Sequence, residues 1–369
     1  MKIVLTGAHC FLGWHTRVRL HALTDHEVVP VGRDNVDQLP ALVQGADAVI
    51  HLAGVNRGSE DEVESGNRRL AEQVGQAVVA TEGSPRIIFA NSIQAGNGTP
   101  YGTGKQEGSK VLAAVAKEIG SHFVDVHLPN IFGEHGRPKY NSFVATFVDA
   151  VVKGVEPQIA DRDVELLHAQ SAAQCLIDAL VTSQIYLAPA GQLTTVQGVF
   201  ERLQSFRQTY VNGDIPPLLT QFDVDLFNTL RAALFPEHYP IAITVHADER
   251  GRLVETVRSH GGQGQTFVST TRPGVTRGDH FHLGKVERFV VLSGKARISL
   301  RKSLTDETVS FDVDGDQPVV VDMPTMWVHN IMNTGDTEVV TLFWTHTLFD
   351  PSAPDTYWEP VAIDAKANA

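Results

Sequence analysis

The chain has 369 residues, of which 42% are hydrophobic and 20% charged, and a formal net charge of −13. That length exceeds one ordinary core and suits two domains of unequal size, while the acidic balance, with no compensating basic patch, argues against a nucleic-acid or anionic-membrane partner. The two cysteines, Cys10 and Cys175, stand far apart, no apolar signal core opens the chain and no apolar run approaches the ~20 residues that span a bilayer, so the expectation is a cytoplasmic protein without a disulfide framework.

Strand signals at Lys2–Thr6, Glu27–Val31, Ala48–Leu52, Arg86–Phe89 and His122–Leu128 alternate with helical spacing at Gly13–Ala22, near Val36–Gln44, at Ser65–Thr81 and at Lys105–Ile119. Such alternation implies a Rossmann-like, doubly wound parallel sheet covered on both faces. The stretch Ala188–Pro217 gives no clear pattern. After about Ile241 helical periods vanish. Short Val/Ile/Phe-rich runs follow at Thr266–Thr270, Arg288–Leu292, Ala296–Leu300, Val319–Asp322 and Val339–Trp344, broken by Gly, Asp and Pro. They predict an antiparallel barrel or jelly roll. The change is placed in the turn Phe235–Pro240, which divides the chain into domains 1–241 and 242–369.

The segment Thr6-Gly7-Ala8-His9-Cys10-Phe11-Leu12-Gly13 follows the first strand and opens the first helix. Glycines there permit a tight turn and close helix packing, and the helix N-terminus offers N–H groups to a pyrophosphate. Further along, Ser92 follows a strand, and Tyr101 and Lys105 stand one helical turn apart. Reducing a ketone needs a hydride on carbon and a proton on oxygen. Tyr101 can give that proton if the Lys105 ammonium on the same helix face draws its pKa down, and Ser92 can hydrogen-bond the carbonyl oxygen as it gains charge. Arg33, just after the second strand, suits a 2′-phosphate and so favours NADPH.

Thr6–Gly13, Ala46–Gly54, Asn91-Ser92 and Tyr101–Lys105, in that order and spacing, resemble the extended short-chain dehydrogenase/reductase family. The resemblance implies Ser92, Tyr101 and Lys105 as catalytic residues. It also implies a dinucleotide held by Gly7, Cys10, Phe11, Leu12, Gly13, Arg33, Leu52, Ala53 and Gly54. Asn130, in Pro129-Asn130-Ile131-Phe132-Gly133, is similar to the asparagine that faces the nucleotide-sugar in that family, and Asn141 is assigned to the same pocket. The chain departs from the family pattern with Cys10 at the middle glycine, His127 at an arginine, and Ser171-Ala172-Ala173 at a Val-Asp-Asp motif.

In the last third, His280 and His282 are two apart, so a strand would point both to one side. Glu287 lies on or beside the next strand, and His329 comes from a later one. Three imidazoles and a carboxylate suit a divalent transition metal with room for water or substrate, without choosing among Zn, Mn, Fe and Ni. Gly274–Glu287, closing at Gly294, resembles the first cupin motif, and Pro324–Asn333 resembles the second, with Met326 at a glycine position. Asp248–Glu255 and Arg277–His280 are similar to segments of the deoxysugar-nucleotide 3,5-epimerases, which implies Arg250 and Glu255 as nucleotide-binding residues. The base of that family falls on His280, which as a metal ligand is a poor base; Lys285 is the other candidate.

Over nearly its full length the chain is similar to the bifunctional enzymes of capsular polysaccharide synthesis that make UDP-linked N-acetyl-fucosamine precursors. Shared stretches include His51–Arg57, Pro100–Gly102, Val164–Leu166, Phe349–Pro351 and Pro354–Tyr357. The resemblance implies a reductase joined to a zinc cupin and a UDP-4-ketosugar substrate. The cupin would epimerise C3, and NADPH-dependent reduction at C4 would give a 6-deoxy-N-acetyl-talosamine-type product. A homodimer is expected, since cupins pair through their sheets. The alternative is a 4-ketosugar reductase whose metal cupin is only a structural or dimerisation module.

Overall fold

Alternating apolar runs and helical stretches become regular elements in the computed structural model, which describes residues 1–362. In chain order these are β1 (Lys2–Thr6), α1 (Phe11–Leu23), β2 (Glu27–Val31), α2 (Leu39–Leu42), β3 (Ala48–His51), α3 (Glu60–Val79), β4 (Arg86–Ser92), α4 (Pro100–Glu118), β5 (Phe123–Leu128), β6 (Asn130–Phe132), α5 (Phe143–Lys153), β7 (Asp163–His168), α6 (Ala169–Asp178), β8 (Tyr186–Leu187) and β9 (Gln192–Thr195). Helix α3 begins five residues before the expected Ser65, because Ser59 and Glu62 form a capping box that starts it on a polar turn.

The strands β2, β1, β3, β4, β5 and β8 pair in that order, all parallel. Side chains alternate between the two faces. Ile3 and Leu5 pack with Leu12 and Leu20 of α1 and with Ala172 and Leu176 of α6. Val4 packs on the other side with Ala71 and Val74 of α3 and with Leu112 and Ala116 of α4. This is the doubly wound sheet expected from the sequence. The order reverses between β1 and β3, so the C-terminal ends of these two strands flank the crevice where open α/β sheets take ligands. A small sheet of β6, β7 and β9 stands apart from it.

The patternless stretch Ala188–Pro217 contains α7 (Val196–Tyr210), and α8 (Gln221–Leu234) follows. Then come β10 (Ile241–Ala242), β11 (Val245–Asp248), β12 (Gly251–Val254), β13 (Gln265–Thr271), β14 (Thr276–Phe281), β15 (Glu287–Ser293), β16 (Lys295–Lys302), β17 (Thr308–Asp314), β18 (Val319–Met323), β19 (Trp327–Asn333), β20 (Val339–Thr345) and β21 (Tyr357–Trp358). Apart from the hairpin β11–β12, they form two five-stranded antiparallel sheets, β10-β18-β15-β20-β13 and β17-β16-β19-β14-β21, a cupin-like arrangement.

The chain divides into two compact units. The first takes Met1–Phe132, Gly136–Phe143 and Arg162–Thr195; the second takes Gly133–His135, Val144–Asp161 and the chain from Val196 on. Helices α7 and α8 thus belong with the β sheets, and the division does not follow the change of secondary structure near residue 241. A buried charged cluster ties these helices to the sheets. Arg288 donates to both oxygens of Asp322 at 2.7 and 2.9 Å. The Tyr210 hydroxyl of α7 donates to the same carboxylate and lies 2.6 Å from that of Tyr239. Arg231 of α8 donates to the Met323 carbonyl at 2.9 Å. Among the described residues no helix is long and apolar enough to cross a membrane.

Candidate functional site

In the first unit the crevice is built by close backbone approach. Gly7 follows β1 with φ 71°, and a Cβ there would lie 2.7 Å from the Ala53 nitrogen. A Cβ on Gly13 would lie 2.1 Å from the Gly7 carbonyl oxygen. Glycine at both positions lets the first turn of α1, with Phe11 and Leu12, sit against the β1 turn and the Leu52-Ala53-Gly54 segment after β3. Cys10 has φ −76° and ψ 170°, extended backbone that needs no glycine. It caps α1, its Sγ accepting the Gly13 N–H at 3.3 Å, and so occupies one of the free donors of the helix start. Arg33 lies exposed two residues past β2.

Ser92 ends β4 and Tyr101 opens α4, with the serine within hydrogen-bonding reach of the phenol. Burial raises the Tyr101 pKa, and the Ser92 hydrogen bond acts the other way. Lys105 is buried, donates from Nζ to the Ala90 carbonyl at 2.7 Å and lies 4.5 Å from the centre of the Phe89 ring. Burial lowers its pKa to about 8, with Asp125 and then Cys10 opposing. Helical spacing suggested that the ammonium would draw the phenol toward neutrality. Instead the lysine turns into the sheet, and the phenol is held above its ordinary value. Asp125 was not singled out from the sequence; its carboxylate gathers Asn91 at 2.9 Å, Ser109 at 2.6 Å and His127 at 3.1 Å. Asn130 donates to the Glu165 carbonyl at 3.2 Å, and Asn141 accepts from Arg57 at 3.3 Å.

In the second unit, β14 carries an irregularity that aims its histidine. Gly278 has φ 105° and Asp279 φ 61°, and the pairing with β19 shifts so that His280 stands opposite His329. A Cβ on Gly278 would lie 2.8 Å from the Asn330 Cα, so this close approach requires glycine. Asp279 accepts from Asn330 at 2.8 Å and from the Val361 N–H at 3.0 Å. His282 follows the end of β14, and Glu287 opens β15 in the other sheet. One ligand-capable atom from each of His280, His282, Glu287 and His329 lies within 4.8 Å of the others.

The hydrogen bonds around this cluster set the ring protons. His282 Nδ1 meets the Asp355 carbonyl, and His329 Nδ1 lies 3.0 Å from the Trp327 carbonyl. A carbonyl only accepts, so both rings carry hydrogen on Nδ1 and turn Nε2 inward. Those two Nε2 atoms lie 3.0 and 3.1 Å from Glu287 Oε2. Three acceptors facing one another call for a cation or a proton among them, and His280 Nδ1 is buried without a partner. Burial alone would raise the Glu287 pKa, but His282 and His329 bring it well below the ordinary value. Burial, with His329 and His282, lowers His280 to about 3, leaving a neutral imidazole. A donor set of three imidazoles and one carboxylate fits a divalent cation.

A cavity of about 740 Å³ opens on this cluster, lined by Arg277, Lys285, Phe289, Phe343 and His346 among others. Lys285 donates to the Pro354 carbonyl at 2.6 Å and to Thr356 at 3.3 Å. An ammonium engaged as a donor is not poised as a base. Met326, at the motif's glycine position, has φ 61°, which explains the glycine and costs a side chain roughly 1–2 kcal/mol. Its N–H donates to the His282 carbonyl at 2.7 Å. Arg250 pairs with Asp248 on the hairpin β11–β12. Glu255 lines a separate polar cavity of about 600 Å³ with Asp214 and Arg258. Neither Arg250 nor Glu255 lines the larger cavity. Asp355 and His346 escaped the sequence reading. The partners of Asp355 lie some seventy residues earlier, beyond any local spacing.

Residues 3–184 match the NAD dependent epimerase/dehydratase family, and residues 246–357 match the Polysaccharide biosynthesis C-terminal domain. The chain is 30% identical over 365 residues to the UDP-2-acetamido-2,6-beta-L-arabino-hexul-4-ose reductase of Pseudomonas aeruginosa, spanning 97% of this chain and 98% of that one. It is 31% identical to the capsular polysaccharide assembling protein CapF of Staphylococcus aureus, whose crystal structure matches with a TM-score of 0.62 over 98% of this chain and 100% of that one. The spore coat polysaccharide biosynthesis protein SpsL of Bacillus subtilis is 26% identical over 119 residues, 30% of this chain and 79% of the relative. Likeness that runs through both regions at once makes the chain a member of the family that contains the Pseudomonas reductase and CapF, with an epimerase/dehydratase region followed by a polysaccharide biosynthesis C-terminal domain.

Proposed function

We propose that this protein is a bifunctional UDP-sugar enzyme. In this reading the second unit epimerises a UDP-2-acetamido-2,6-dideoxy-4-ketohexose at C3, and the first unit reduces the C4 ketone with NADPH. The product is a UDP-6-deoxy-N-acetyl-talosamine-type sugar. The observation that supports the reading is that one chain of this family carries two chemically different groups of side chains: Ser92 and Tyr101, with Lys105 one helical turn on in α4, and the cluster of His280, His282, Glu287 and His329.

NADPH supplies the hydride when bound. Gly7, Cys10, Gly13 and the start of α1 would hold its pyrophosphate, Arg33 its 2′-phosphate, and Leu52–Gly54 would lie beside it. Tyr101 gives its hydroxyl proton to the sugar O4 as C4 becomes tetrahedral, and Ser92 steadies that oxygen by a hydrogen bond. Lys105, anchored on Ala90, keeps positive charge near the site. Asn130 and Asn141 are assigned to the sugar nucleotide in the first unit, and Arg250 and Glu255 to the nucleotide in the second.

His280, His282, Glu287 and His329 would hold a divalent cation, zinc in this reading, which supplies Lewis acidity toward the ketone and so acidifies the neighbouring C3–H. The apolar walls Phe289 and Phe343 limit water around the enolised sugar. Epimerisation is reversible, and reduction at C4 makes the sequence one-way.

The test is NMR of the purified protein with the UDP-4-ketosugar in D2O, first without and then with NADPH. Deuterium at C3 before NADPH and a C4 alcohol after it support both sites. Reduction without exchange at C3 favours the second reading, in which the metal unit is structural.

A further inference from the structure

His346 follows β20 and lines the cavity that opens on His280, His282 and Glu287. Its main chain and its ring are both bound to one residue. The His346 N–H donates to the Val286 carbonyl at 3.2 Å, and the Val286 N–H donates to His346 Nδ1 at 3.0 Å. A backbone N–H can only donate, so Nδ1 is the acceptor and the ring hydrogen sits on Nε2. Turning the ring over would leave the Val286 N–H without this partner. Nε2 has no hydrogen-bond partner among the described residues, and it is not one of the sealed, unsatisfied atoms. It is therefore reached by solvent, and the residue lines the cavity. Burial, with Arg231 nearby, keeps the ring neutral.

A neutral imidazole fixed in this tautomer cannot accept a proton at Nε2. It can donate a hydrogen bond without bringing a full charge into the cavity. We propose that His346 is a hydrogen-bond donor of this cavity, holding through Nε2–H a sugar oxygen on which negative charge develops when C3 loses its proton. No covalent step passes through the ring, and its hydrogen stays on nitrogen throughout. The inference rests on the epimerase reading of the second unit and adds to it a group outside the metal-type cluster.

The experiment uses the full-length, zinc-loaded protein and UDP-2-acetamido-2,6-dideoxy-4-ketohexose in D2O. His346→Ala is expected to slow C3 deuteration by ~10²–10³-fold in kcat with little change in KM, the loss found for a transition-state donor. His346→Gln, which keeps an N–H donor, is expected to recover much of the rate, and both variants should hold wild-type zinc. Nitrogen-15 NMR of wild-type His346 at neutral pH should show hydrogen on Nε2 and none on Nδ1. Wild-type exchange in His346→Ala, equal loss in His346→Gln, or the opposite tautomer overturns the proposal. Wild-type protein that fails to exchange C3 overturns the epimerase reading itself, and the role of His346 falls with it.

Discussion

Asp355 holds His282 through its main chain and the loop beside His282 through its side chain. Its carbonyl accepts from His282 Nδ1, while its carboxylate accepts the N–H groups of Leu283 at 2.9 Å, Gly284 at 3.0 Å and Lys285 at 2.8 Å. The ring cannot turn without losing that carbonyl, and the carbonyl cannot move without pulling three further hydrogen bonds. Asp355→Ala is therefore expected to lower zinc affinity by ~10–100-fold, the usual effect of losing a group that orients a ligand. Competition with a chromogenic chelator measures it. Unchanged affinity would show that the loop holds His282 without the carboxylate.

Three of the four clustered side chains were visible in the sequence because strand spacing is local, His280 and His282 being two apart and Glu287 five further on, and His329 was visible through the resemblance of Pro324–Asn333 to the second cupin motif. Their supports were not visible. Asp355 acts across a long loop, the pairing shift at Gly278 depends on β19, and His346 has meaning only because Val286 faces it. The alternating apolar runs of the parallel sheet were equally plain, since Ile3, Val4 and Leu5 are all buried. Helix α7 was not, because its buried residues Val199, Leu203, Phe206 and Tyr210 are interspersed with polar and turn-forming ones. Helical spacing placed Tyr101 and Lys105 on one face, yet it held no information on Ala90, the carbonyl that captures the lysine.

Tyr101→Phe is expected to lower kcat for ketone reduction by ~10²–10⁴-fold, the range for loss of a positioned acid. C3 deuteration should be unaffected, because that chemistry is assigned to the other unit. Following NADPH oxidation and C3 exchange on the same sample separates the two.

Arg33→Ala is expected to weaken NADPH binding about tenfold or more, because a charge-assisted hydrogen bond is worth ~1.5–3 kcal/mol. NADH binding should change little. Fluorescence titration with both cofactors decides it, and equal losses for the two would remove Arg33 from the 2′-phosphate site.

Asp322 is fully buried with Arg288, and removing the carboxylate leaves a guanidinium that is only 1% exposed. Asp322→Ala is expected to destabilise the protein by ~3–5 kcal/mol, as measured by urea unfolding. Burial alone would raise the Asp322 pKa, but Arg288 brings it below the ordinary carboxylate value. A carboxyl depressed in the folded state contributes stability that is present above its unfolded pKa and lost as pH falls through the folded one. Acid should therefore weaken the wild type as the pH falls below the ordinary carboxylate value, and the Asp322→Asn variant should lack that part of the slope.

The interleaving of the two compact units bears on how such a gene can be inherited. A recombination break at codon 242 would hand on the β strands without Tyr210, the partner of Asp322, and without Arg231, the partner of Met323. It would also strand Thr325, whose hydroxyl donates to buried Glu134 at 2.8 Å. The metal-type unit is thus no portable cassette. A single crossover at the visible seam would deliver it with buried groups unmatched, so the two activities proposed for this chain would be expected to pass between genomes together.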